Sequence, residues 1–174
     1  MDIKNNKPHA NKKGSFKQGY YKIYNSFKYK GDPTKCIYRS SWEFKIMHWL
    51  DESSDVEWWA SEPFKIIYFY PAPYGDNKQH EYYPDLVFKI GDIVYVSEVK
   101  PSAQLRKPEK PKSNSQKAAL RYRDAFLTYT KNYFKSIAAR EWCKNKINHK
   151  YVYITEESNL NNLVVTKNED TKQN

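Results

Sequence analysis

Cysteine is almost missing from this chain. Cys36 and Cys143 stand alone, without CxxC spacing, which argues against a zinc cage and a disulfide framework and makes a reducing compartment the default. His9, His48, His80 and His149 are scattered, and none has a motif partner. No apolar run approaches the roughly 20 residues needed to span a bilayer. The polar N-terminus carries no signal segment, so neither membrane insertion nor secretion is expected.

Positive charge and aromatic rings are what the chain has in excess. Its 174 residues carry 30 Lys and Arg against 20 Asp and Glu, a net charge of +10, with a pI near 9.4. The length suits one domain with terminal extensions. Most of the surplus lies in residues 1–35, where lysines including Lys12, Lys13 and Lys17 alternate with Phe16, Tyr20, Tyr21, Tyr24, Phe27 and Tyr29. Ammonium groups can neutralise phosphates while rings stack on bases, so residues 1–35 read as a nucleic-acid-binding arm. Within it, 1–13 reads as a solvating tail and 16–35 as aromatic enough to pack partly on the core. Residues 36–165 then form the domain and 166–174 a polar tail. Arg106, Lys107, Lys110, Lys112 and Lys117, broken by Pro108 and Pro111, form a second basic stretch. It reads either as a loop that grips a nucleic-acid backbone or as a solvated one.

The run from Tyr83 to Val99 holds the chemistry. Two β-rich segments, 83–90 and 93–99, flank Gly91-Asp92, a two-residue loop suited to a tight hairpin turn. With Ile90 opposite Ile93, Lys89 faces Val94, Val87 faces Val96 and Asp85 faces Glu98. Opposed side chains have Cβ atoms about 4.5–5.5 Å apart, and like charges there destabilise a sheet. A cation between them is therefore expected. Lys100 lies on the same face as Glu98, and a divalent ion held by both carboxylates would remove the remaining repulsion. The Asp85 face also carries Val87, Val94 and Val96, and the opposite face Leu86, Phe88, Ile90, Ile93, Tyr95 and Val99. Both faces are apolar, as in a sheet covered on each side. Carboxylates at the end of such a sheet are costly without partners, which favours a site over a surface salt bridge.

Such a set suits phosphodiester cleavage. A hard cation polarises a phosphoryl oxygen and lowers the pKa of the attacking water; two carboxylates and a main-chain carbonyl can hold it. A neighbouring lysine orients or deprotonates the water and stabilises developing charge. Glu43 is open to two readings. Ser40 and Glu43 have capping-box spacing for a helix running to about Leu50. Equally, Glu43 lies in line with Met47 and Leu50 on the inward face, within reach of the site. One carboxylate is not expected to fill both roles at once.

The remaining elements complete a mixed α/β (α+β) plan. A strand over 64–70 is expected to join the Asp85 strand through loop 71–79, giving three sequential antiparallel strands. From about Ser113 to Lys146 the pattern is helical, with Leu120, Phe126, Leu127, Phe134, Ile137, Ala138 and Trp142 as an apolar stripe, either continuous or broken near Thr130. A short strand over 151–154 and a helical turn over 155–160 follow. Trp42, Trp49, Trp58 and Trp59 read as core or rim aromatics.

Several motifs are similar to those of one family. Tyr29-Lys30-Gly31-Asp32-Pro33, Tyr38-Arg39-Ser40-Ser41-Trp42-Glu43, Trp59-Ala60-Ser61-Glu62, Tyr83-Pro84-Asp85, Glu98-Val99-Lys100-Pro101 and Ala138-Ala139-Arg140-Glu141-Trp142-Cys143 resemble the head completion nucleases of T-even-like tailed phages. The same core is similar to TnsA-like transposon endonucleases, all within the PD-(D/E)xK superfamily. The resemblance implies a restriction-endonuclease-like core, a mixed central sheet with an antiparallel meander flanked by helices, and Mg²⁺ or Mn²⁺ dependence. It implies a DNA endonuclease acting in the host cell cytoplasm, or at the virion head or neck, once packaging ends, with portal, neck or terminase proteins as partners. By carry-over, Glu43, Asp85, Glu98 and Lys100 would be catalytic, with Asp85, Glu98 and Glu43 on the metal. Glu62 would be an extra ligand or substrate-side group. Gln116 would contact the DNA backbone, beside Arg39, Arg106, Lys107 and Lys117 as further contacts. Two alternatives stand beside this: a non-catalytic head or neck protein that binds packaged DNA, and a transposon-type endonuclease dependent on a partner recombinase.

Overall fold

In the computed structural model, which describes residues 9–10 and 17–160, the core is a four-stranded sheet. Its strands are β4 (Val56–Ser61), β7 (Leu86–Ile90), β8 (Ile93–Val99) and β9 (His149–Ile154), in the order β4-β7-β8-β9. The β4–β7 and β7–β8 pairs are antiparallel, and β9 runs parallel to β8. Helix α1 (Ser41–Glu52) packs against one face and α2 (Gln116–Lys144) against the other. The mixed sheet between helices is the arrangement expected of a restriction-endonuclease-like core.

The central hairpin has the expected register: Ile90 pairs with Ile93, Lys89 with Val94 and Val87 with Val96. Gly91 takes a φ of 56°, which a residue without a Cβ adopts at no steric cost. The two faces separate as the alternation requires. Leu86, Phe88, Ile90, Tyr95 and Val99 join α1 residues Ile46, Met47 and Leu50 in one core cluster. Val87 and Val96 join Ala139 and Cys143 of α2 in a second.

The strand order differs from the expected meander. The strand beside β7 is β4, whereas β5 (Ile66–Tyr70) pairs with β6 (Lys78–Tyr82) in a separate two-stranded sheet. Lys78 and Gln79, the start of β6, fall in the expected loop 71–79, and the strand goes unread because most of its Lys-Gln-His-Glu-Tyr sequence faces solvent. The β4 alternation is broken by a bulge between Val56 and Trp58, which hides the strand behind two adjacent tryptophans.

Helix α2 is continuous over 29 residues. Thr130 does not break it, because its hydroxyl bonds the Leu127 carbonyl at 3.1 Å and the Tyr70 hydroxyl at 2.9 Å. Phe134, Ala138 and Trp142 pack on the core as expected. Leu120, Leu127 and Ile137 do not and are exposed; the fully buried α2 positions are Thr130, Asn132, Ser136, Ala139 and Cys143. Small and polar side chains serve here because tyrosines of β6 and β9 reach up to the helix. Tyr82 donates to the Lys135 carbonyl at 3.2 Å and Tyr153 to the Asn132 carbonyl at 2.9 Å.

The segment before α1 is built into the core. Tyr21 and Tyr29 are buried, and residues 28–30 bond β4 through Lys30 N to Trp59 O (2.8 Å) and Trp59 N to Lys28 O (2.9 Å). That covers an otherwise open sheet edge. Lys28 is not available to a ligand: its buried ammonium donates to the Asp51 and Ser53 carbonyls at 3.0 and 2.6 Å, capping the C-terminus of α1. Short strands β2 (Lys17–Tyr20) and β3 (Ile37–Tyr38) pair antiparallel, with β1 (His9–Ala10) outside β2.

At the other end of α1, the Ser40 hydroxyl accepts from Glu43 N at 3.1 Å. Ser40→Ala should cost about 1 kcal/mol, a fall of about 2–4 °C in Tm, measured by differential scanning calorimetry. An unchanged Tm would mean that the cap contributes nothing.

Candidate active site

Asp85, Glu98, Val99 and Lys100 meet at one end of the sheet. The β7–β8 ladder stops at Leu86–Ser97, and Asp85 continues it with its side chain: Oδ2 accepts from Val99 N at 2.7 Å. Ser97 locks the end of the hairpin by donating from its hydroxyl to Leu86 O at 2.9 Å. Lys100 is anchored to β9 through its backbone N–H to Ile154 O at 3.1 Å. Its ammonium then turns back over the sheet and touches three oxygens: Asp85 Oδ2 at 3.2 Å, Glu98 Oε1 at 3.1 Å and Val99 O at 3.1 Å. The cation expected between the two carboxylates is this one.

Glu98 is 2 % exposed, and its Oε2 is buried without a hydrogen-bond partner. Burial, and then the Asp85 charge, push its carboxyl above the usual range; the lysines pull the other way. Burial alone would lower the Lys100 ammonium, but the charges of Asp85 and Glu98 outweigh it and hold the group above the usual lysine range. A raised lysine stays a cation near neutral pH and shields its acidic neighbours.

Glu43 fills the cap and also faces the site. Its Oε2 accepts from Arg39 N at 2.8 Å and its Oε1 from the Ser40 hydroxyl at 3.1 Å. Burial raises its carboxyl, and Asp85 and Lys100 are close enough to act on it in opposite directions. The capping reading holds, and the cap also lies beside the site, because the first turn of α1 points at the open end of the sheet. Even so, among the described residues no three His, Cys, Asp or Glu side chains are drawn into one metal cage. Glu43 is thus a neighbour of the Asp85–Glu98 pair, with both its oxygens engaged in the cap.

A cleft of about 560 Å³ opens beside the site, lined by Arg39, Trp42, Glu43, Val99, Lys100 and Glu156 among others. Arg39 and Glu62 are paired across its rim, with Nη2 2.9 Å from each carboxylate oxygen and Nε 3.2 Å from Oε1. Glu62 adopts a left-handed φ of 46° and donates its N–H to Asp85 O at 3.2 Å, so this pair is tied to the Asp85 turn. Ser102 and Arg106 are held to the 155–157 turn through Glu156 and Glu157. Lys107, Gln116 and Lys117 are exposed, and none of the hydrogen bonds or ion pairs given above for Glu43, Asp85, Glu98 and Lys100 involves them. Lys12 and Lys13 lie outside the described residues, and Lys17 falls in β2.

One residue at the site escapes sequence reading. Lys135 of α2 places its ammonium 3.7 Å from Glu98 Oε1 and 4.8 Å from the centre of the Tyr82 ring. A signal was present: Asn132, Lys135 and Ser136 interrupt what would otherwise be an apolar helix face.

Converging oxygens, a neighbouring lysine and a buried Glu98 oxygen without a hydrogen-bond partner thus meet at the mouth of the cleft. Residues 53–156 match the model of the TnsA-like endonuclease N-terminal domain. The chain belongs to the TnsA-like endonuclease family. Among curated proteins it is 32% identical over 124 residues to the head completion nuclease of Enterobacteria phage T4, covering 70% of this chain and 80% of that protein. No solved structure matches the chain significantly. The TnsA-like segment contains Asp85, Glu98, Lys100 and Lys135, whereas Glu43, on the helix before it, lies outside. No helix among the described residues is long and apolar enough to cross a membrane.

Proposed function

We propose that this chain is a divalent-metal-dependent DNA endonuclease that acts in phage head completion, after packaging. The observation that carries this reading is the placement of the Lys100 ammonium on three convergent oxygens, Asp85 Oδ2, Glu98 Oε1 and Val99 O. Two carboxylates and a carbonyl are the hard donors that Mg²⁺ and Mn²⁺ select, and the ammonium stands where such a cation would be attracted. The Glu98 oxygen that is buried without a partner supports the same conclusion. Asp85 and Glu98, with the Val99 carbonyl, would hold the ion, which when bound polarises the phosphoryl oxygen and acidifies its water.

The chain's own groups do the rest. Released from the carboxylates, Lys100 reaches the attacking water or the phosphate, orienting the one and stabilising charge on the other. Glu43 keeps the first turn of α1 closed over the site and adds negative potential near Asp85. Arg39 offers a planar fork matched to phosphate geometry, now satisfied by Glu62. Lys12, Lys13, Lys17, Arg106, Lys107, Gln116 and Lys117 are the proposed contacts to the DNA backbone. Docking to portal, neck or terminase proteins, in the host cytoplasm or on the assembling head, is part of the same proposal, and the likeness to the T4 head completion nuclease supports it.

The purified protein should nick supercoiled plasmid in Mg²⁺ or Mn²⁺, and chelation with EDTA should stop it. Nicking that continues at the same rate in EDTA would remove the metal from the mechanism; no cleavage under any divalent ion would favour the non-catalytic DNA-binding alternative.

A further inference from the structure

Lys135 occupies a position where a core helix would ordinarily carry an apolar residue. Its turn of α2 is clamped to the sheet: Tyr82 donates to the Lys135 carbonyl and Tyr153 to the Asn132 carbonyl, while Asn132 Nδ2 reaches Gln104 O at 3.4 Å. The ammonium is therefore delivered by a rigid element, not by a mobile surface stem. It lies against the Tyr82 ring on one side and Glu98 on the other. Withdrawing a cation from water is costly, and an apolar side chain of similar size is often as stable or more so. Packing alone does not account for a lysine here.

The distribution of contacts on Glu98 supplies the account. Oε1 has two cationic neighbours, Lys100 at 3.1 Å and Lys135 at 3.7 Å, while Oε2 makes no hydrogen bond. Lys100 is also shared with Asp85 and the Val99 carbonyl. When Lys100 turns to the substrate, Lys135 is the side-chain cation that stays beside Glu98, next to the ion that the carboxylates would hold. We infer that Lys135 is a second lysine of the reaction centre, a positioning residue that holds the Glu98 carboxylate compensated and aimed while Lys100 serves the phosphate. This rests on the nuclease reading above, and it adds a fixed positive charge beside the point where negative charge develops.

Two variants and one metal-free measurement test it. Lys135→Met keeps the stem and removes the charge; Lys135→Arg restores the charge with a different head. For Lys135→Met, kcat for plasmid nicking should fall about a hundredfold, with KM for DNA within about threefold, as for loss of one preorganised charge. Tm should be unchanged, and Lys135→Arg should recover about a tenth of the wild-type rate, because the two cations are not interchangeable. Wild-type kcat in Lys135→Met would overturn the inference. So would equal losses in both variants together with a lower Tm, which would mean that shape and not charge matters. In metal-free protein, the side-chain ammonium resonance of Lys135 should shift in Glu98→Gln. An unmoved resonance overturns the pairing even if the wild type cuts DNA, whereas a wild type that cuts nothing overturns the nuclease reading itself.

Discussion

Lys100→Met will abolish metal-dependent nicking, with a loss of about three orders of magnitude, the upper range for one preorganised charge, and Asp85→Ala will do the same. Lys100 is the only contact among the described residues that joins Asp85 to Glu98, bonding both at 3.2 and 3.1 Å. Without it, Asp85 loses its cationic partner, and Glu98, 2 % exposed, keeps only the longer contact to Lys135 at 3.7 Å. The variant should therefore lose about 1–3 kcal/mol in metal-free buffer, a range set by uncompensated partial burial. Mg²⁺ should return much of that, so the rise in Tm on adding the ion should be larger in Lys100→Met than in the wild type. In Asp85→Ala the repulsion is gone along with the carboxylate, and the Mg²⁺-dependent rise should shrink below the wild-type value. Plasmid nicking and differential scanning fluorimetry with and without Mg²⁺ measure both effects. Nicking by Lys100→Met at the wild-type rate would remove this lysine from the chemistry.

The largest effect on stability is expected far from that site, at Asp51. This residue is fully buried in the last turn of α1, and its carboxylate gathers donors from two other parts of the chain. Oδ2 accepts from Tyr24 N at 2.7 Å and the Tyr21 hydroxyl at 3.4 Å; Oδ1 accepts from Asn25 N at 3.3 Å and Trp59 Nε1 at 3.4 Å. Asp51→Ala strands these donors in the interior and leaves a void between α1, β4 and residues 21–25. A loss of about 3–5 kcal/mol is expected, as for breaking a buried charged network. That is a large share of the roughly 5–15 kcal/mol that holds a domain together. Asp51→Asn, similar in shape, should lose less. Urea unfolding monitored by tryptophan fluorescence reads the difference, and a shift below about 1 kcal/mol in Asp51→Ala would show that the network is dispensable, since each hydrogen bond to a charged group is worth about 1.5–3 kcal/mol.

Asp51 and Lys135 mark what sequence reading loses, and the β7–β8 hairpin marks what it keeps. The hairpin register is a local property. A two-residue turn with glycine first leaves one pairing, and every side chain from Asp85 to Lys100 follows from it. Glu43 was placed correctly on its helix, but its nearness to Asp85 could be seen only in three dimensions, because the direction of α1 toward the sheet end is set by packing. Strand β4 was lost to its bulge and β6 to its polarity; both are strands because of their neighbours and not because of their own pattern. In α2 the apolar stripe misled. The helix meets the tyrosines of β6 and β9 with Thr130, Asn132 and Ser136, and such a polar contact face has no period that hydrophobicity can reveal.

The two partners of β8 differ in how far along the chain they lie. Strand β7 is joined to it by Gly91-Asp92, whereas β9 arrives only after the loop beyond Lys100 and the whole of α2. A hairpin of this kind closes in about 1–10 μs, while parallel pairing across a long crossover waits on loop closure and helix docking. During folding, Asp85 and Glu98 are thus pressed together before Lys135 can reach them, with Lys100 alone to keep them apart in charge. The lysine proposed to serve the substrate is also the one that makes the acidic pair tolerable while the protein is still being assembled.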